Sequence, residues 1–257
     1  MAKWTAFPYQ GDYLFDASSV KNHWARLHVG DAEPLPKDGG VLEAWALFHN
    51  GDFQKAVEAG LALGHAGLTV ANKAACVYET FLESKEQARL DLYLEVARRA
   101  GSQAHDDPLN FNAHYWHGYA LGRYSQGISV AKALAQGIGN KVKGSLEQAI
   151  ELQPKHVDAH IALGAFHAEV IDKVGSLIGA MTYGARKDTG LSLFEQALKL
   201  NIESVMGMIE YANAMLMLEG ERMLKEATRL YQQAATAKPM DAMERLNAEM
   251  ARSELRS

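Results

Sequence analysis

Three segments of the chain close in the same way: Glu147-Gln148-Ala149-Ile150-Glu151-Leu152-Gln153-Pro154, Glu195-Gln196-Ala197-Leu198-Lys199-Leu200-Asn201-Ile202 and Gln232-Gln233-Ala234-Ala235-Thr236-Ala237-Lys238-Pro239. Each reads as the end of an amphipathic helix carrying a small residue where a neighbouring helix must come near. Two of the three stop at proline, which lacks the N–H a continuing helix needs. Fresh helical patterns follow, HVDAHIALGAFHAEV from His156 and IESVMGMIEYANAMLML from Ile202, and Asp107-Pro108-Leu109-Asn110 opens FNAHYWHGYALGRY in the same manner. Helices alternate with short breaks, and no run has the period of a strand. The expected fold is therefore all-α, a stack of helical hairpins in which each unit packs on its neighbours.

Those stops and small positions resemble the tetratricopeptide repeat, a helix-turn-helix unit of 34 residues that ends in proline. If Pro154 ends a unit, the next begins at Val157, and Leu163 and Gly164 take the family's leucine and small positions. Counting back from Pro239 puts Ala227, Tyr231 and Ala234 on the packing positions of a second helix. Gly51-Asp52-Phe53 followed by Ala56 fits the turn of an earlier unit whose first helix is Ala44–Phe48. The resemblance covers roughly 39–250 and implies a right-handed tetratricopeptide-like solenoid. Two units follow: an aromatic arm, helix (Ser18–His28) and linker over 1–38, then a repeat domain over 39–257 of about five hairpins plus a carboxy-terminal helix.

The spacing is uneven. Pro108 to Pro154 is 46 residues and Pro154 to Ile202 is 48, so each unit carries a surplus of about 12 to 14 over the repeat length. Both surpluses fall between the two helices of their unit, at Ser125–Gln136 and Ile171–Gly184. They are apolar and glycine-bearing, unlike polar loops, and are expected to lengthen the helices. Enlarged hairpins of this kind look like those of the T-component family of TRAP transporters, and are similar, more faintly, to the regulator-of-microtubule-dynamics proteins. The first family is exported and lipid-anchored and forms clefts thought to serve a solute-binding partner, whereas this chain shows neither export signal nor lipid-bearing cysteine.

Composition excludes several functions. The net charge is −5 and basic residues come only in pairs (Arg98-Arg99, Lys141/Lys143, Arg186-Lys187), which argues against nucleic acid. Cys76 is the single cysteine, so neither an intrachain disulfide nor a cysteine zinc site can form, and a small buried hydrophobe is expected there. Met1–Pro8 has no apolar signal core, and no later apolar run reaches 18 residues, so a cytoplasmic chain without membrane insertion is expected.

Ten histidines invite a metal reading, with His156/His160 and His114/His117 at spacings that share a helix face. The repeat register offers another: His114 and His160 take one packing slot and His167 another, each in place of an aromatic. No metal, cofactor or catalytic residue is expected, since hydrolase elbows, dinucleotide fingerprints and His-Glu-x-x-His are missing from the sequence. The methionine-rich carboxy-terminal third reads as irregular core filling.

The first helix of each repeat lines the concave face, as the resemblance implies. By register that gives Asn112, Tyr115, Tyr119 and Arg123, then Asp158, Ile161, Ala165 and Glu169, then Ile209, Asn213 and Met217. Around the insertions, Arg123, Tyr124 and Gln126 are expected to meet Asp172, Lys173 and Tyr183, with Asp172 pairing Arg123 or Lys132. The candidate binding residues are thus Tyr115, Tyr119, Arg123, Tyr124, Gln126, Glu169, Asp172, Lys173, Tyr183 and Asn213. The function expected is a scaffold for a protein or peptide partner, the alternative a small-ligand carrier with a cavity at 125–136 and 171–184. The aromatic arm is either a cap on the solenoid or a reach to a neighbour, so self-association is one outcome.

Overall fold

The computed structural model describes residues 3–256; Met1, Ala2 and Ser257, the outermost residues of the two expected units, lie outside it. The chain runs through α1 (Ala17–Leu27), α2 (Gly39–His49), α3 (Phe53–Ala62), α4 (Leu68–Phe81), α5 (Glu86–Asp106), α6 (Phe111–Gln126) and α7 (Val130–Ala135). It continues through α8 (Ile138–Leu152), α9 (Val157–Val174), α10 (Ser176–Tyr183), α11 (Lys187–Leu200), α12 (Val205–Glu219), α13 (Leu224–Ala235) and α14 (Ala242–Glu254), with no strand among the described residues. Pairing is between neighbours: α2 with α3, α4 with α5, α6 with α8, α9 with α11, α12 with α13, and α14 on α13. This is a helical-hairpin solenoid.

Each stop is followed, two residues on, by a side chain that starts the next helix. Asn110, His156, Ser204 and Asp241 stand two residues after Pro108, Pro154, Ile202 and Pro239, and each accepts the backbone N–H three residues ahead. The side-chain acceptor satisfies one of the donors that a helix start leaves free, typically stabilising by about 1 kcal/mol. His156 does this with Nδ1, 3.1 Å from the Ala159 nitrogen, an uncommon use of imidazole.

The packing register is visible at Gly164. A Cβ there would come 2.8 Å from Cε2 of Phe194, a ring fully buried between α9 and α11, and Ala197 is buried in the same cluster. Gly164→Leu is expected to lower the unfolding free energy by roughly 1–3 kcal/mol through overpacking. Urea denaturation measures this directly, and an unchanged midpoint would mean that the helices do not meet there.

The insertions do more than lengthen helices. Residues 125–126 continue α6 and residues 171–174 continue α9; then the chain breaks and forms a separate short helix, α7 or α10. Gly175 (φ +82°) and Gly184 (φ +64°) bracket α10, and Gly137 (φ +62°) follows α7, conformations that glycine adopts without strain.

The amino-terminal segment is an ordered strap. Trp4 stacks on Tyr78 at 3.9 Å, and Phe7 fills the space above Gly51, where a Cβ would come within 2.4 Å of its ring. Trp24 of α1 meets Trp45 edge to face in the core of the first hairpin. The last helix returns to the same place: Asp241 bonds buried His49 of α2 at 2.7 Å, Glu244 chelates Arg26 of α1 at 2.5 and 3.2 Å, and the Arg245 guanidinium lies 4.1 Å over Tyr9. Ala242 and Leu246 join the amino-terminal core, so the solenoid closes on itself.

Candidate functional site

Closure turns the concave face into a cavity of about 180 Å³. Its wall is built from the first helices of successive hairpins, which show the same face at three- and four-residue intervals. Cys76, Val77 and Thr80 come from α4, Tyr115, Tyr119 and Arg123 from α6, Ile161, Ala165 and Glu169 from α9, and Met206 and Glu210 from α12. Met243 and Asn247 of α14 complete it, and most of the wall is apolar. Asp158 begins the stretch of α9 that lines it, Glu169 lies roughly 16 Å further along at 1.5 Å per residue, and Lys173 and Val174 continue the wall beyond.

The Asp158 end rests on buried charge. Lys73 of α4 and Asp31 of the linker are 2% and 0% exposed at their side chains and meet at 2.6 Å. His28 Nδ1 lies 3.0 Å from the same carboxylate, and the Lys73 ammonium sits over the rings of Trp45 and Phe48. Burial alone would raise the Asp31 pKa, but Lys73 and His28 outweigh it and hold the carboxyl well below its ordinary range. Burial drives His28 down to about 4 against the pull of Asp31. Asp158 also lines the cavity, half-buried against Gly30, where a Cβ would stand 2.7 Å from its Oδ1. Burial raises its carboxyl to about 6, with Lys73 opposing. Glu33, which accepts from Asn112, is pushed by burial to about 8.

The Glu169 end is a ladder of charge-assisted bonds. Arg123 donates Nε to the Tyr119 hydroxyl at 3.2 Å, Nη1 to Gln126 at 3.3 Å and Nη2 to Glu210 at 3.2 Å. Gln126 passes the network to Glu169 at 2.5 Å, and Lys173 stands 3.8 Å from the same carboxylate. Such a network fixes the α6, α9 and α12 ends relative to one another.

Of the ten candidate residues, Tyr115, Tyr119, Arg123, Gln126, Glu169, Lys173 and Tyr183 line this cavity. Three do not. Tyr124 is buried behind the wall with the Lys132 ammonium over its ring. Asp172 is exposed and does not pair as expected, because Arg123 is already held by Glu210 and Lys132 lies on Tyr124. Asn213 accepts from Tyr231 on the neighbouring helix. In α12 the register also shifts inward: Ile209 joins the core with Leu230 and Ala251, Met217 is exposed, and Met206 and Glu210 face the cavity instead. Asn112 is buried beneath, bridging Glu33 and His156.

Lys73, Asp31, Met243 and Asn247 were not singled out from the sequence. Lys73 alone had a signal, as a single cation inside the apolar run LTVANKAACVYETF.

The histidines that the spacing singled out are engaged in packing and bonding: His114 Nε2 bonds the Pro108 carbonyl and His117 Nδ1 the Ser145 hydroxyl. His156 accepts at Nδ1 from Ala159 and donates from Nε2 to Asn112 at 2.9 Å, and His160 Nδ1 bonds the His156 carbonyl. His167 Nδ1 accepts from the Arg186 backbone. Among the described residues no three His, Cys, Asp or Glu side chains converge as a metal site. The dyads His28–Asp31 and His49–Asp241 are sealed in the core, out of reach of a substrate. Burial raises the Cys76 thiol well above its usual range, which disfavours the thiolate that a nucleophile needs. Among the described residues no helix is long and apolar enough to cross a membrane.

The model of a family described as regulator of microtubule dynamics protein 1-3 matches residues 47–256. The crystal structure of TTC0263, a thermophilic tetratricopeptide-repeat protein of Thermus thermophilus, superposes with a TM-score of 0.58 at 17% identity, covering 83% of this chain and 97% of that one. At that identity the likeness concerns the fold. No curated protein matches the chain.

Proposed function

This chain belongs to the regulator of microtubule dynamics protein 1-3 family, and on that footing we propose that it is a non-catalytic binding protein whose central cavity receives part of a protein or peptide partner. The observation that carries the reading is the arrangement of the cavity: a long apolar wall ending in Asp158 and Lys73 on one side and Arg123, Gln126 and Glu169 on the other. Apolar surface supplies affinity and the few polar groups at the ends fix orientation. Because α14 closes the solenoid, an extended peptide does not run through the groove; the partner offers a protruding segment from the side of the insertions. The family description points towards microtubule regulation as the setting.

Closure also favours a second reading, the small-ligand carrier. An elongated, mainly apolar molecule with polar ends would fill the same space.

Both readings are tested by Ala165→Trp. Ala165 is half-buried and lines the cavity, so the indole occupies the cavity instead of the core. Tagged wild-type chain from its host, analysed by mass spectrometry for proteins and for extracted small molecules, identifies the guest. The variant is expected to lose that guest at least tenfold with its melting temperature held. Retention of the same guest would remove the cavity from function, and the class of molecule lost decides between partner and carrier.

A further inference from the structure

Thirteen large hydrophobic side chains stand exposed among the described residues, and five of them sit on the two short insertion helices: Val130 and Leu134 on α7, Leu177, Ile178 and Met181 on α10. Leu177, Ile178 and Met181 are 74%, 56% and 80% exposed. These are the apolar side chains that neither the solenoid core nor the cavity uses fully. The two helices belong to one edge of the molecule. Both pack on α8, the α7 residues Val130 and Leu134 line the same cavity as Val174 and Tyr183, and Tyr183 lies over Gly139, where a Cβ would come 2.5 Å from its ring.

The charge around that edge differs from that of the whole chain. From Tyr124 to Leu146 there are three lysines and no acidic residue, and from Lys173 to Lys187 three cations and no acidic residue, in a chain of net charge −5. Lys132, Lys141 and Arg186 are exposed and make no ion pair among the described residues, Lys132 lying over the Tyr124 ring; Lys143, paired with Glu147, has its side chain 3.9 Å from the position of a Gly184 Cβ, beside the end of α10. Asp172 and Asp188 bound the second stretch and limit the field. Short helices with exposed leucine, isoleucine and methionine, flanked in sequence by exposed cations, have features of an interfacial anchor. A groove-binding protein partner would meet a concave apolar surface; here the apolar side chains project outwards.

We propose that the α7–α10 edge docks peripherally on an anionic bilayer surface, with Leu177, Ile178 and Met181 entering the interface and Lys132, Lys141 and Arg186 facing the headgroups. Docking is independent of what fills the cavity, whose wall includes Val130 and Leu134 of the docking edge.

Full-length protein is to be sedimented with sucrose-loaded vesicles of phosphatidylcholine alone and of phosphatidylcholine with 30 mol% phosphatidylserine (roughly the anionic content of a cytoplasmic leaflet). Binding is expected on the anionic vesicles only, and should fall steeply as salt shortens the Debye length. Lys141→Glu/Arg186→Glu is expected to weaken it by well over tenfold, at roughly fivefold for each cation lost. Leu177→Ser/Met181→Ser should also lose it, with the melting temperature unchanged because both side chains are exposed. Since Cys76 is buried, Leu177→Cys gives one labelling site, and an environment-sensitive dye there should shift to the blue on anionic vesicles. Failure of the wild type to sediment, equal binding by the serine variant, or a label that stays in water overturns the proposal. A concentration-dependent dimer abolished by the serine change, without vesicle binding, would overturn it in favour of a protein contact.

Discussion

Replacing Lys73 by methionine is expected to cost about 3–5 kcal/mol of unfolding free energy, the range for leaving one member of a buried ion pair without its partner. Asp31 has no exposed side-chain surface, and of the three groups bonded to it, the Lys73 ammonium, the His28 ring and the Glu33 N–H, Lys73 carries the permanent charge, at 2.6 Å. Without the ammonium, the Asp31 carboxylate keeps the neutral Glu33 N–H at 3.3 Å and His28, whose burial disfavours the charged imidazole that would be needed to compensate. Asp31→Leu/Lys73→Met should recover most of the loss, since two apolar side chains need no partner. Urea denaturation followed by circular dichroism measures all three. Equal stability of Lys73→Met and wild type would mean that Asp31 is reached by water. As a control, separating the exposed pair Arg229–Glu226 on α13 should leave the midpoint unchanged.

The contrast between these pairs explains what the sequence could and could not show. The stops at Pro108, Pro154, Ile202 and Pro239 fixed the hairpin order because helix ends are local events, decided by a proline or a side chain two residues later. The small packing positions were legible for a similar reason: Gly164 and Ala197 recur in one register. The wall of the cavity on α6 and α9 followed from that register, since Tyr115, Tyr119, Arg123, Asp158, Ile161, Ala165 and Glu169 share a face by spacing alone. Contacts between distant segments were not legible. Asp31 and Lys73 are 42 positions apart, and His49 and Asp241 are 192 apart, so no periodicity relates them. Closure by α14 depends on the accumulated curvature of five hairpins, which no single repeat encodes. The same closure explains the α12 register error, because α14 supplies Ala251 to cover Ile209 and leaves Met206 and Glu210 to face inwards.

The second large effect concerns pH, and it separates a capping histidine from a packing one. His156 must stay neutral to accept from Ala159, and burial lowers its pKa from 6.5 to about 3. Below pH 6.5 the unfolded chain therefore takes up a proton that the folded chain declines, and stability falls as pH drops, until about pH 3. His28 acts in the same sense down to about 4. Asp158 and Glu33 act in the opposite sense: raised to about 6 and about 8, they hold protons in the fold that the unfolded chain releases above its ordinary carboxylate range, so stability is gained as pH falls towards 5. His117 and His167, also lowered by burial, act with the two histidines, and Glu79 and Glu169, also raised by burial, act with the two carboxyls. Four groups thus oppose four, and wild-type stability should change little between pH 5 and 6. It should fall above pH 6, as Glu33 loses its proton, and below about 4.5, where Asp31 and Asp241, both held below their ordinary range, begin to protonate in the unfolded chain. His156→Asn keeps a capping side chain and removes one titrating group. Relative to wild type, the variant should gain stability below pH 6.5 with a slope approaching about 1.4 kcal/mol per pH unit, roughly 2 kcal/mol between pH 6.5 and 4.5. Urea midpoints at pH 7.5, 6.5, 5.5 and 4.5 decide the matter. A difference that stays constant with pH would show that His156 is protonated in the fold, and its Nδ1 could then not accept from the Ala159 N–H.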